Sequence, residues 1–156
     1  MTRADQADPA GATPPRQPIR KFGLDLPAEP EALPVLGAFA EAIALEAGFG
    51  ERARNHIQMA LEEIAVNILM HGSGPSSTFQ VLAYLDPGLI RWEIVDFGQP
   101  FPFEQASSRY DGVPSPDQAV GGVGLFLVKK VMDEVTYTPG TGQGNRMTLV
   151  KYKEKP

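Results

Sequence analysis

Four short blocks of this chain combine residue types that can do chemistry: Glu63-Ile64-Ala65-Val66-Asn67, Asp96-Phe97-Gly98-Gln99-Pro100-Phe101, Gly121-Gly122-Val123-Gly124-Leu125 and Gly144-Asn145-Arg146-Met147-Thr148-Leu149. Glu63 and Asn67 are spaced i, i+4, which on a helix places them on one ridge. The carboxylate can take a proton from a hydroxyl. The amide oxygen is a hard ligand suited to Mg²⁺, whose other ligands are water and phosphate oxygens. Asp96 can only accept hydrogen bonds; it suits the exocyclic amino group of adenine and opposes the carbonyl of guanine. Gly98 lets backbone approach a ring closely. Gly121, Gly122 and Gly124 open a helix, where free N–H groups form an anion site for phosphates. Leu125 completes that block, although with Val128 and Val131 it reads first as core. Together the blocks describe an ATP pocket. The P-loop pattern G-x-x-x-x-G-K-S/T does not occur in the chain, so the pocket is of another kind.

Each block alone has an ordinary structural reading. Glu-x-x-x-Asn arises often by chance, Asp-x-Gly is a common turn at a strand end, and Gly-Gly-x-Gly serves tight helix entries. Asn145 reads equally as a site residue or as the closure of a Gly144-Asn145 turn. His71 reads as a helix end, and Arg109 as a solvated charge. The order and company of the blocks decide in favour of a site.

The elements that must hold these residues follow from periodicity. Phe22, Leu24 and Leu26 alternate in a first strand over 19–26. Leu36, Phe39, Ile43 and Ala47 mark one face of a helix that Gly48 and Gly50 stop. A second helix runs from about Glu51 to His71, with Ile57, Leu61, Ile64 and Ile68 as its core stripe. Arg54, Gln58 and Glu62 form its solvent row. Glu63 points about 100° from Glu62 and lies between two apolar groups. Phe79, Val81, Ala83 and Leu85 alternate in one strand, and Ile90, Trp92 and Ile94 in the next, with Asp86-Pro87-Gly88 as the turn between. The second alternation puts Asp96 at the end of a core-facing row, where an unpartnered carboxylate is costly. Residues 98–120, rich in Pro, Gly, Ser and Asp, form a long irregular loop, of the kind that is either functional or disordered. A helix over 123–132 and strands near 135–138 and 145–152 complete the domain. Residues 1–18, with four prolines and little to bury, read as a disordered tail, leaving 19–156 as a single domain.

Bulk composition narrows the class. A chain of 156 residues suits one domain with a real core. Its net charge of −5 and lack of a basic block argue against nucleic acid and anionic membranes as partners. Without cysteine it has no disulfide or thiolate chemistry, and two histidines cannot build a zinc site alone. No apolar run approaches the roughly 20 residues that span a bilayer, and the N-terminus lacks an apolar signal core. A cytoplasmic protein is expected.

On these blocks the chain resembles the GHKL superfamily of ATPases and kinases, which share the Bergerat fold, over roughly residues 19–153. Within it the chain is similar to the small bacterial anti-sigma-factor serine kinases. Asp96-x-Gly98-x-Pro100-Phe101 differs from the Asp-x-Gly-x-Gly usual in histidine kinases, and Glu63 stands four residues before Asn67, as in the serine kinases. Gly121-Gly122-x-Gly124-Leu125 and Gly144-Asn145 fit the same branch. The resemblance implies an α/β (α+β) two-layer sandwich, its mixed, mainly antiparallel sheet covered on one face by three helices. It implies binding of ATP and Mg²⁺, with Asn67 as metal ligand and Glu63 as catalytic base. It also implies that Thr148, on the final strand, helps hold adenine beside Asp96. The implied acceptor is a STAS-type anti-anti-sigma protein and the restrained partner a sigma factor or similar regulator, with a homodimer as the usual assembly. Two alternatives remain from other classes. One is a noncatalytic, ATP-dependent binding module. The other is the ATP-binding half of a split histidine kinase, for which the stretch of about 18 residues before the domain is too short to hold a phospho-acceptor hairpin.

Overall fold

The computed structural model describes residues 19–71, 77–103, 122–140 and 143–153. The expected tail over 1–18, Gly121, Arg109 and most of the long loop after Gly98 lie outside the described residues. Among the described residues eight elements follow in the order β1 (Arg20–Pro27), α1 (Ala32–Glu46), α2 (Glu51–His71), β2 (Thr78–Asp86), β3 (Leu89–Asp96), α3 (Gly122–Val131), β4 (Glu134–Thr138) and β5 (Asn145–Tyr152). The strands form one sheet in the order β1-β2-β3-β5-β4. All four pairings are antiparallel. The two-layer α+β sandwich is as expected, and the described part of the sheet contains no parallel pair.

Alternation along the strands divides the sheet into two faces. Phe79, Val81 and Ala83 of β2, Ile90, Trp92 and Ile94 of β3, and Met147 and Leu149 of β5 are buried toward the helices. Leu36 and Ile43 of α1, Ile57, Leu61 and Ile64 of α2, and Leu125 and Val128 of α3 close the core from the other side. Each Leu or Ile buried this fully contributes about 1.5–3 kcal/mol relative to exposure. Trp92, fully buried, meets the ring of Phe39 edge-on at 6.1 Å. The opposite sheet face carries polar side chains: Glu93 takes Arg146 and Arg91 as ion-pair partners, and Tyr84 donates its hydroxyl to the same carboxylate at 3.5 Å.

The expected solvent row on α2 is corrected by the packing of α1. Arg54, Gln58 and Glu62 are partly buried. Arg54 Nε donates to Glu41 of α1 at 2.8 Å, and its Nη1 donates to the Phe49 carbonyl at 2.9 Å. Gln58 Nε2 donates to Glu62 at 3.2 Å, and both side chains lie against Gly37 of α1. A helix pair needs a contact ridge, and here small residues on α1 let polar stems of α2 serve as that ridge.

Candidate functional site

The C-terminal half of α2, the ends of β3 and β5, and the first turn of α3 line a pocket that is open to solvent at its mouth. Ile94 and Met147 form its sheet wall, Ile64 and Ile68 its helix wall, and Leu125 closes it from α3. Its polar groups are few: Asn67, His71, Asp96, Gln99 and the Tyr137 hydroxyl. Apolar walls with a handful of placed polar groups orient a ring ligand while excluding water from its faces.

Asp96 is the most elaborately held of these groups. It pairs with Asn145 across the β3–β5 ladder, and both residues point to the helix side. Asn145 is only 2% exposed. Its Nδ2 donates to Asp96 Oδ1 at 3.2 Å and to the Gly98 carbonyl at 3.0 Å, and its Oδ1 accepts the Gly140 N–H at 3.0 Å. The Gly98 N–H also donates to Asp96 Oδ1, at 2.9 Å. One oxygen of Asp96 is therefore saturated by two protein donors. Among the described residues Oδ2 has no partner and is left as the acceptor for a ligand. Gly144 makes the approach of β5 possible: at φ +83° it occupies the left-handed region, and a Cβ there would stand 2.8 Å from the Asp96 carbonyl.

Asn67 lies one turn before His71 on the pocket side of α2. Among the described residues its Nδ2 is buried with no hydrogen-bond partner. A buried amide left unpaired costs free energy, so this group is open to a ligand. A half-turn of the amide exchanges its nitrogen and oxygen, so either a donor or a hard oxygen ligand can be presented there. The chemistry suits a cation ligand or a phosphate donor.

Glu63 is not in the pocket wall. Its carboxylate packs against Gly124 in the first turn of α3, one helical turn of α2 before Asn67. A Cβ on Gly124 would overlap Glu63 Oε2 and lie 3.2 Å from its Cδ. The glycine thus serves the close approach of α3 to the acid. Gly122 starts α3, as expected from the glycine block. Leu125 is fully buried and also lines the pocket, so its core and site readings both hold.

One expected site residue is displaced. Thr148 pairs with Glu93 and Thr136, out of phase with Met147 and Leu149, so it lies on the sheet face away from the pocket. Asn145 takes the place beside Asp96 instead. Gly98 acts through its backbone, binding Asp96 and Asn145 by its N–H and carbonyl. Tyr137, Phe101, Gln99, Met147 and Ile94 line the pocket without having been singled out as site residues, and His71 lines it as well as ending its helix. Alternation on β5 was the available signal for Asn145, since Asn145, Met147 and Leu149 form one row. Tyr137 offered none, because its role depends on a contact with Phe101 far along the chain.

Comparison with known proteins agrees with this geometry. Residues 26–151 match the family model of the histidine kinase-like ATPase domain. Serine-protein kinase RsbW of Listeria monocytogenes is 32% identical over 123 residues, covering 74% of this chain and 77% of that protein. Serine-protein kinase RsbW of Bacillus pumilus is 27% identical over 144 residues, covering 85% and 86%. Among solved structures, the RsbU and RsbW domains of Rv1364c from Mycobacterium tuberculosis share the fold with a TM-score of 0.61 at 19% identity. That match covers 85% of this chain, which spans 32% of the solved one. The chain belongs to the histidine kinase-like ATPase domain family of the GHKL superfamily, in the branch of the RsbW anti-sigma serine kinases.

Proposed function

We propose that this chain is an ATP-dependent protein-serine/threonine kinase that phosphorylates a STAS-type anti-anti-sigma protein and sequesters a sigma factor or similar regulator. The unit that does so is a single domain over 19–156, acting in the cytoplasm as a homodimer. The observation that carries the ATP reading is the Asp96 carboxylate, held by Asn145 and Gly98 through one oxygen and left open through the other at an apolar pocket. The RsbW relatives support the choice of serine as acceptor. Among the described residues no helix is long and apolar enough to cross a membrane, which agrees with the setting.

The residues divide the work by position. Asp96 Oδ2 accepts from the adenine amino group, while Ile94, Met147 and Leu125 hold the ring faces. The N–H groups that open α3, with Gly121 and Gly122, receive the phosphates. Asn67 would hold a Mg²⁺ ion, which supplies charge neutralisation to the phosphate oxygens. Glu63 lies at the junction of α2 and α3 and takes the proton of the incoming serine hydroxyl. The serine oxygen forms its bond to the γ-phosphorus as the bond from phosphorus to the bridging β-phosphate oxygen breaks, and ADP leaves.

The direct test is transfer from labelled ATP to candidate serine-bearing partners, followed by acid and base treatment of the product. Phosphoserine survives acid and is lost in base. An acid-labile product would instead indicate phosphohistidine and overturn the serine assignment. A second reading is favoured by one observation, the seat of Glu63 against Gly124 outside the pocket wall: an ATP-gated binding module that does not transfer phosphate. ATP binding without transfer to any serine-bearing partner would establish that module in place of the kinase.

Two variants probe individual parts. Asn67→Ala should leave adenosine affinity at the parent value and abolish most of the Mg²⁺ dependence of ATP binding. Titration with a fluorescent ATP analogue, with and without Mg²⁺, measures both, and full retention of the metal effect removes Asn67 as the ligand. Gly124→Ala places a methyl group where the Glu63 carboxylate sits. Alanine is about 1 kcal/mol better than glycine inside a helix, so the melting temperature should hold or rise while transfer falls. Parent-rate transfer by this variant would show that the Glu63 seat is irrelevant to the chemistry.

A further inference from the structure

Gln99 and Phe101 line the pocket from the strip of residues 99–103, and the attachment of that strip is specific. The Phe101 N–H donates to the hydroxyl of Tyr137 at 2.9 Å, across 36 residues of chain. Tyr137 stands on β4, an edge strand, paired with Met147, so its ring enters the pocket face of the sheet. The Phe101 ring lies 5.3 Å from that of His71 at the end of α2. The Phe103 N–H turns back to the Phe101 carbonyl at 2.8 Å, and the Phe103 ring rests 5.8 Å from that of Tyr137. Lys129 of α3 places its ammonium 4.8 Å above Phe103. The strip therefore crosses the pocket from the sheet to α2, and among the described residues the Tyr137 hydroxyl is the hydrogen-bonding group that ties it to the sheet.

We infer that Tyr137 is a positioning residue for the bound base: by fixing the Phe101 backbone it holds the Phe101 ring on His71 as the wall of the nucleotide pocket. The inference rests on the ATP-site reading above. Burial raises the phenol above its usual range, and the nearby Asp96 charge acts in the same direction, while the Phe101 N–H opposes them. The hydroxyl thus stays neutral and available as an acceptor for Phe101 near neutral pH. Tyr137 touches the wall and not the phosphates, so its influence should fall equally on every ligand that carries the same base.

Tyr137→Phe removes one oxygen and keeps the ring against Phe103. A neutral hydrogen bond of this kind corresponds to about a 2- to 13-fold change in an equilibrium constant. Affinities for ATP, ADP and adenosine should all fall by that common factor, with Mg²⁺ dependence unchanged. A merely structural tyrosine would lower the melting temperature without this pattern. Phe101→Ala keeps the backbone N–H but removes the wall, so Tyr137→Phe should cost no further affinity in the Phe101→Ala background. Additive losses in the double variant, or parent affinity in Tyr137→Phe, overturn the inference while leaving the ATP site intact. A parent protein that binds no adenine nucleotide overturns both.

Discussion

Glu63→Gln should lower single-turnover phosphate transfer by about 10²–10⁴-fold, the usual contribution of a general base, and leave ATP affinity unchanged. The substitution keeps the length and shape of the side chain and retains an acceptor oxygen. Its packing against Gly124 therefore survives, and so does the approach of α3 to α2. What disappears is the capacity to take a proton from the acceptor hydroxyl. Glu63 lies outside the pocket lining, so the adenine and its apolar walls do not register the change. Binding of the protein partner should persist as well. The control is Glu62→Gln on the same helix. Glu62 accepts from Gln58 and turns toward Gly37 of α1, and glutamine can still offer an oxygen there, so transfer should stay at the parent rate. Equal transfer by Glu63→Gln and parent removes Glu63 as the base. Equal losses in both variants would point to damage to α2 rather than to chemistry.

Asp96→Asn should weaken ATP by about 1.5–3 kcal/mol, the range for a hydrogen bond to a charged group, which is roughly 10- to 150-fold in affinity. The structure makes this an unusually clean substitution. Oδ1 of Asp96 accepts from Gly98 and Asn145, and the carbonyl oxygen of asparagine can keep both bonds. The amide nitrogen is then forced to the Oδ2 position, where it presents a donor to the donor amino group of adenine. Fold and loop geometry stay, and recognition inverts. A guanine nucleotide, with a carbonyl at the same ring position, should lose nothing by the change. Titrations of ATP and GTP analogues against parent and variant test the assignment. Unchanged ATP affinity would reduce Asp96 to a turn residue.

Much of this arrangement was legible in the chain because it depends on local periodicity. The apolar stripe of Ile57, Leu61, Ile64 and Ile68, with glycines at either end, bounded α2 at Glu51 and His71 as found. Alternation on β3 put Asp96 in the inward row with Ile90, Trp92 and Ile94. Gly121-Gly122-x-Gly124 marked the start of α3. These readings need only the 3.6-residue and 2-residue repeats, which are properties of each element by itself. A polar row such as Arg54, Gln58 and Glu62 has the same repeat whether water or another helix covers it. Only the docking of α1 showed that it is a contact. Thr148 and Asn145 are both polar residues of one strand, and the β3–β5 register decided which of them meets Asp96. The unpaired amide of Asn67, the seat of Glu63 against Gly124 and the bond between Tyr137 and Phe101 likewise join elements far apart in the chain. By itself the sequence determined which apolar residues each element turns inward, because side-chain direction repeats locally. The tertiary structure alone decided which inward residues meet, because strand register and helix docking are set by packing over the whole core.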